Sequence, residues 1–231
     1  MMGCLNGFMS MQGKAKNKQR TGCYLQGAAM YHYYMFHKPY GCVCARKDDR
    51  HPTVMDYFTE LNNEKLSPVG RLDRATEGLL FVTDDGVWNQ TMTHPDRKKE
   101  KTYIFAAMGA LSSKDIRLLE SGVMLKGART LTSPAKVRVT GVSSLSEVLP
   151  SLHPEIQAKS RHNRPDHPVV FGQITVTEGK KHQIRRMLKA VRCCVISLKR
   201  ISMDSILLDE SLKPGEWKQI FPDISSDSHV N

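Results

Sequence analysis

A charged loop that runs directly into an apolar segment is the feature that most constrains how this chain folds. Residues 70–78 begin and end with glycine and carry two arginines and two acids, and residues 79–83 read Leu-Leu-Phe-Val-Thr. A short apolar run that is partly β-branched and follows a glycine is typical of a buried strand. The sequence therefore predicts a loop that places Asp73 just outside the core of a sheet.

Asp73 lies between two arginines, and this arrangement allows two interpretations. Arg71 and Arg74 would keep a neighbouring carboxylate ionised, which is the state that a carboxylate nucleophile requires. Turns also commonly carry Asp and Arg as a solvated surface ion pair. These residues alone leave both interpretations open.

A second informative stretch passes from a β-branched strand at residues 169–177 through a glycine into a helix. Apolar residues then recur at helical spacing, at Ile184, Met187, Leu188 and Val191. Another face carries Lys181, Arg185 and Lys189 at positions i, i+4 and i+8. The pattern predicts an amphipathic helix whose basic face is either solvated or binds an anion.

The net charge of +11 favours a polyanionic partner, and the charge is unevenly distributed. Residues 1–47 contain seven Lys and Arg and no acid, and residues 178–200 contain eight basic residues and one acid. The second patch overlaps the predicted amphipathic helix. Such a patch indicates a nucleic acid partner.

Two strings of residues resemble the diagnostic motifs of the RsuA-like family of pseudouridine synthases, which modify ribosomal RNA. Gly-Arg-Leu-Asp-x-x-Thr-x-Gly-Leu-Leu occupies residues 70–80, and Glu-Gly-x-x-His-Gln-Ile-Arg-Arg-Met occupies residues 178–187. A third string, at residues 37–41, is similar to the family's Asn-Lys-Pro-x-Gly, with His37 in place of the common Asn. The strings are long, specific and in the family's order.

The resemblance implies a role for individual residues. Asp73 would be the nucleophile, Arg185 would pair with its carboxylate, and Tyr103 would stack on the target base. Arg71 would fill the place that the flipped uridine vacates. The other residues expected to contact RNA are Lys38, Arg74, Lys101, Lys181, His182 and Lys189.

The fold implied by the resemblance is α+β, the pseudouridine synthase fold, with a mixed and mainly antiparallel sheet in two subdomains flanked by helices. Our own patterns predict strands at residues 31–36, 79–83, 101–105, 137–140, 169–177, 194–198 and 206–208, with a final strand after residue 216. They predict helices at residues 53–61, 87–92, 113–121 and 181–191. Residues 141–168 are predicted to be a long polar connection.

The domain organisation expected is one catalytic domain at residues 30–222, without the S4-type RNA-binding domain that relatives often carry. Residues 1–29 are predicted to be a basic, disordered extension, although a transit peptide or a translation start at Met30 would explain the same sequence. Residues 223–231 are predicted to be a flexible tail.

The six cysteines, among them Cys42 and Cys44, form neither a zinc-type pair nor a secreted disulfide pattern. They indicate reduced thiols in a cytosol, and a metal site of Cys42, Cys44 and a histidine is the weaker alternative. No apolar run approaches the roughly 18 residues of a membrane span. We therefore expect a cytoplasmic monomer without a metal or an organic cofactor.

The function predicted is that of an RNA pseudouridine synthase, an isomerase acting on a specific uridine of ribosomal RNA. Two alternatives remain at this point. One is a non-catalytic RNA-binding factor for ribosome assembly on the same fold, and the other is the same chemistry on transfer RNA.

Overall fold

The computed structural model describes residues 24–26 and 29–223. Its strands are β1 (Tyr24–Gln26), β2 (Ala29–Tyr31), β3 (Tyr33–Lys38), β4 (Ser67–Pro68), β5 (Glu77–Thr83), β6 (Lys101–Met108), β7 (Lys136–Ser144), β8 (Pro168–Val176), β9 (Cys194–Met203), β10 (Ile206–Leu207) and β11 (Trp217–Gln219). Its α-helices are α1 (Gly86–Thr93), α2 (Ser113–Ser121), α3 (Leu145–Val148), α4 (Pro154–Ser160) and α5 (Gln183–Ala190). Three 3-10 helices lie at Val54–Leu61, Pro95–Arg97 and Leu149–Ser151.

The large sheet has the strand order β11-β3-β5-β9-β6-β8-β7, with β4 beside β5 and β10 beside β9. All of these strand pairs are antiparallel except β5 with β9. The parallel pairing is short and joins only Glu77 with Lys199 and Gly78 with Arg200. The predicted α+β fold with a mixed, mainly antiparallel sheet is confirmed, and its two halves meet at this seam.

Buried side chains cover both faces of the sheet. The largest cluster lies on one face and includes Phe36, Phe58, Leu80, Tyr103, Phe105, Leu119, Met187 and Leu188. Its members from outside the sheet include residues of the 3-10 helix Val54–Leu61, of α2 and of α5, together with residues of the connecting loops. Two smaller clusters pack α1 beside β3 and β5, and α3 beside β6 and β8. The loop at residues 70–76 enters β5 at the seam between the two halves.

Most of the predicted elements are confirmed, with ends that differ by a few residues. Thr53 and Ser112 cap their helices, and each forms a capping box with an aspartate three residues later. The helix predicted from residue 181 instead begins at Gln183, because His182 adopts a left-handed conformation with φ of 52°. Lys181 therefore precedes the helix and does not share its face.

The prediction of a long connection at residues 141–168 is wrong. β7 continues to Ser144, and α3, a 3-10 helix and α4 follow it. The capping box between Ser144 and Glu147 starts α3, and Leu145 and Val148 are buried against the sheet. The polar composition of this stretch reflects its exposed sides rather than a lack of helices.

The N-terminal extension is described only in part. Tyr24–Gln26 pairs antiparallel with Ala29–Tyr31, within and beside the segment predicted to be disordered. Residues 1–23 and 27–28, and residues 224–231 of the predicted tail, lie outside the described residues. In the part of the chain that is described, no helix has both the length and the apolar character needed to cross a membrane.

Gly78 allows the two halves of the sheet to approach each other at the seam. Its φ is +99°, and a Cβ there would overlap the backbone oxygen of Arg200 and lie 2.8 Å from its backbone nitrogen. We expect Gly78→Ala to lower the free energy of unfolding by about 3 kcal/mol, because β9 would have to move. Chemical denaturation measures this, with Gly41→Ala as the control.

Gly41 has a φ of +85°, and no described atom lies within 4 Å of the position that a Cβ would take there, so its substitution adds backbone strain alone. That strain is expected to lower the free energy of unfolding by about 1 kcal/mol. Equal losses for the two variants would contradict the close approach at Gly78.

Candidate active site

A cavity of about 540 Å³ opens beside the seam of the sheet. The loop at residues 70–76 forms one wall, and the turn and first helical residues at 178–185 form another. Tyr103 and Leu198 contribute from the sheet. The two strings that are far apart in sequence therefore meet across one cavity.

Asp73 lies on the wall of this cavity with its side chain about one-third exposed. The Asp73 carbonyl accepts a hydrogen bond from Thr76 N at 2.9 Å, which closes a tight turn directly before β5. The nearest ionisable partner of its carboxylate is His182, whose Nε2 lies 3.5 Å from Oδ1. Asp73 is thus available to a ligand in the cavity and faces an imidazole.

The predicted pairing of Arg185 with Asp73 is wrong, because no salt bridge joins these two described side chains. The Arg185 guanidinium instead donates to the carbonyls of Ala75 at 2.7 Å and Val195 at 3.1 Å. Burial lowers the pKa of Arg185, and the charge of Asp73 opposes that shift. The charges of Arg185 and Asp73 therefore interact without a salt bridge. The hydrogen bonds of Arg185 join the loop that follows Asp73 to β9.

Lys38 is fully buried, so the prediction that it binds phosphate is wrong. Its Nζ donates to the carbonyls of Pro39 at 3.0 Å, Arg74 at 3.4 Å and Thr76 at 2.9 Å. Burial lowers its pKa. Lys38 and Arg185 together hold the three successive carbonyls that follow Asp73, which fixes the backbone of this loop from both sides.

His182 owes its position to a hydrogen-bonded turn at residues 178–183. The Gln183 amide donates to Glu178 Oε1 at 2.6 Å, and Gln183 Oε1 accepts from Lys180 N at 2.9 Å. Lys180 Nζ also lies 2.9 Å from Glu178 Oε2. These contacts stabilise the left-handed backbone of His182, which is unfavourable for a residue with a Cβ.

Tyr103 projects from the middle of β6 into the floor of the cavity. It is 9% exposed and packs in the same cluster as Val176, Ile184 and Leu198, which also line the cavity. The aromatic ring and these aliphatic side chains form an apolar part of the cavity lining, and Asp73 lines the same cavity. A flat apolar group can lie there beside a carboxylate.

Comparison with known proteins identifies the family. A family model described as RNA pseudouridylate synthase matches residues 32–190. The chain belongs to this family.

The relatives place the chain in the RsuA-like branch of the pseudouridine synthases, as predicted. The ribosomal small subunit pseudouridine synthase A of Vibrio cholerae is 36% identical over 81% of this chain and 70% of its own length. A protein of Bacillus subtilis named as an uncharacterized RNA pseudouridine synthase is 35% identical over 81% of this chain and 69% of its own length. The predicted class of enzyme, an isomerase, is confirmed.

A solved structure agrees with this assignment. A pseudouridylate synthase crystal structure superposes with a TM-score of 0.67 and 31% identity, covering 83% of this chain and 70% of that one. The pseudouridine synthase fold that the motifs implied is therefore confirmed.

The residues expected to contact RNA in this pseudouridine synthase divide into two groups. Arg71, Arg74, Lys181 and His182 line the cavity. Lys101 and Lys189 do not line it. Lys101 Nζ donates to the carbonyl of Lys99, and Lys189 is exposed on α5. The cavity thus brings four of the seven expected residues together and leaves Lys38, Lys101 and Lys189 outside.

Arg74 is already paired within the chain. Its Nη2 lies 2.7 Å from Glu155 Oε1 on α4, and Lys159 lies 2.6 Å from the same oxygen. Arg71 is exposed at the mouth of the cavity. Neither arginine forms a salt bridge with Asp73 among the described residues, so the predicted ion pair that would keep Asp73 ionised is wrong.

Sequence reasoning did not predict three residues that support the site. Glu178 and Gln183 build the turn that holds His182, and Cys44 Sγ accepts a hydrogen bond from Leu72 N at 3.2 Å, next to Asp73. Glu178 and Gln183 belong to the second diagnostic string, so that string could have indicated their importance. Cys44 offered none, because a lone sulfur acceptor has no sequence signature.

Proposed function

We propose that this chain isomerises one uridine of small-subunit ribosomal RNA to pseudouridine, with Asp73 as the nucleophile. The observation that carries the proposal is that Asp73 and Tyr103 line one cavity, which is bounded by both diagnostic strings. The names of the relatives supply the class of RNA.

The reaction rearranges bonds without adding or removing atoms. The Asp73 carboxylate attacks the flipped nucleotide, and the glycosidic bond between C1′ and N1 breaks. The uracil turns, C5 bonds to C1′, and the bond to Asp73 breaks. C5 loses a proton and N1 gains one, so the product is an isomer. The stoichiometry requires neither a cofactor nor a cosubstrate.

The protein lowers the barrier mainly by fixing positions. Tyr103 replaces the stacking that the uracil loses when it leaves its helix. Arg71, exposed at the mouth, occupies the space that the nucleotide vacates. Lys38 and Arg185 hold the carbonyls at positions 74–76, so that the carboxylate meets the ribose in one orientation.

His182 has a more specific role in this proposal than phosphate binding. Its imidazole lies 3.5 Å from the attacking carboxylate, and it is the closest ionisable group to Asp73 among the described residues. An imidazole at that distance can orient the free carboxylate. His182 is therefore a positioning residue for the nucleophile.

We expect His182→Gln to lower kcat about tenfold with little change in KM, because the carboxylate would lose the group that orients it. Lys181→Gln is the control, since this exposed neighbour should change KM and leave kcat intact. A wild-type kcat in His182→Gln would exclude this role.

The proposed function is tested by mapping pseudouridines in cells with and without this gene. One position in small-subunit ribosomal RNA should lose its pseudouridine on deletion and regain it with the wild-type gene, but not with Asp73→Asn. An unchanged ribosomal map with a lost transfer RNA position would move the activity to that RNA. Unchanged maps together with a ribosome assembly defect would favour the non-catalytic factor.

A further inference from the structure

A hairpin at residues 123–132 projects beside the cavity. Thr132 N donates to the carbonyl of Val123 at 3.1 Å, and Val123 N donates to Thr132 Oγ1 at 3.0 Å. Met124 and Leu131 form an antiparallel bridge. Val123 and Leu125 are buried and anchor the hairpin to the main core cluster.

The hairpin is attached to the turn and helix that form the cavity wall. Arg186 Nη2 donates to the carbonyl of Lys126 at 2.6 Å, and Lys180 Nζ donates to that of Leu131 at 3.3 Å. Ser133 N, directly after the hairpin, donates to Glu178 Oε1 at 2.9 Å. These contacts fix the hairpin relative to His182 and the entrance of the cavity.

The outer side of the hairpin combines apolar and cationic side chains. Met124 is 50% exposed and Leu131 is 53% exposed, although both are large and apolar. Lys126 and Arg129 are also exposed, and no salt bridge involves either of them within the described ranges. Residues 123–132 contain no acid. The surface is therefore positive and has an apolar centre.

We propose that this hairpin is a second RNA-binding surface, which holds the nucleotides that flank the target uridine. The inference rests on the proposed function, because it takes RNA to be the ligand of the adjacent cavity. Flipping one nucleotide exposes the faces of its neighbours, and apolar side chains such as Leu and Met pack against bases exposed in this way. Lys126 and Arg129 match the charge of the flanking phosphates.

Binding of a small-subunit ribosomal RNA fragment by the full chain tests the proposal through two variants with separate signatures. Met124→Ser with Leu131→Ser should weaken binding about tenfold and leave the salt dependence unchanged, because no charge is removed. Lys126→Ala with Arg129→Ala should reduce the log–log salt slope by about two. If the variant with both Met124→Ser and Leu131→Ser does not fold, the single variant Met124→Ser is measured in its place.

Control variants come from surfaces away from the hairpin. Val142→Ser with Leu207→Ser removes two exposed apolar side chains outside the hairpin and should leave affinity unchanged. Lys213→Ala removes an exposed charge before β11 and should leave the slope unchanged. Wild-type affinity and slope in both hairpin variants would overturn the proposal.

The test of the hairpin can be distinguished from the test of the proposed function. The hairpin variants should retain wild-type kcat at saturating RNA, since the changes raise KM alone. Binding and salt slopes do not require turnover. If the wild-type chain binds the RNA but isomerises no uridine, the proposed function fails while the slopes still decide the role of the hairpin.

Discussion

Asp73→Asn is expected to reduce isomerisation by about a thousandfold or more, because the amide cannot form the covalent bond to the nucleotide. RNA affinity should stay within about twofold of wild type, since phosphate contacts supply most of the binding energy. The substitution keeps the size of the side chain on a surface that is one-third exposed, so the fold should not change. Single-turnover rates and equilibrium binding on the same RNA measure both quantities.

Asp49→Asn is the matched control, since Asp49 is an exposed aspartate that does not line the cavity. It should leave both the rate and the affinity unchanged. Substantial turnover by purified Asp73→Asn would rule out covalent attack by this residue.

Arg185→Met is expected to have the second-largest effect. It leaves the carbonyls of Ala75 and Val195 without their donor, which lowers the free energy of unfolding by about 1 to 3 kcal/mol for each acceptor that stays buried. The loop behind Asp73 would then shift, and a displacement of about 1 Å can lower kcat about a hundredfold. RNA affinity should change much less than kcat. Rates and denaturation midpoints measure the two effects.

Two substitutions separate this account from a simple loss of charge. Arg185→Lys keeps the charge but cannot reach both carbonyls, so it should recover little activity. Arg186→Met removes the neighbouring guanidinium, which donates to surface carbonyls, and should preserve kcat. Full activity of Arg185→Lys would show that charge alone matters at this position.

The sequence predicted that Asp73, His182 and Arg185 share one site because the family strings contain them, and the resemblance implied that Tyr103 belongs to the same site. All four line one cavity. It did not predict which atoms Arg185 contacts. That depends on the backbone path at residues 74–76 and 195, which is set by the short parallel seam between β5 and β9. The Arg185 guanidinium donates to two partly buried carbonyls, and the Asp73 carboxylate stays available to the cavity.

Lys38 is a second residue whose contacts the sequence did not predict, because its burial could not be foreseen. The family resemblance implied that Lys38 contacts RNA, and a lysine that ends a strand and precedes a proline is usually exposed. Here β3 ends beside the Asp73 loop in the interior, so the side chain meets three carbonyls and no solvent. Only the strand order β3-β5-β9 places it there.

Release of tritium from RNA labelled at C5 of uridine tests the central claim most directly, because forming the C5–C1′ bond expels the C5 hydrogen. Purified wild-type protein should release tritium from small-subunit ribosomal RNA, in an amount that corresponds to one uridine in each molecule, and Asp73→Asn should release none. No release by the wild-type protein, or equal release by Asp73→Asn, would contradict the account.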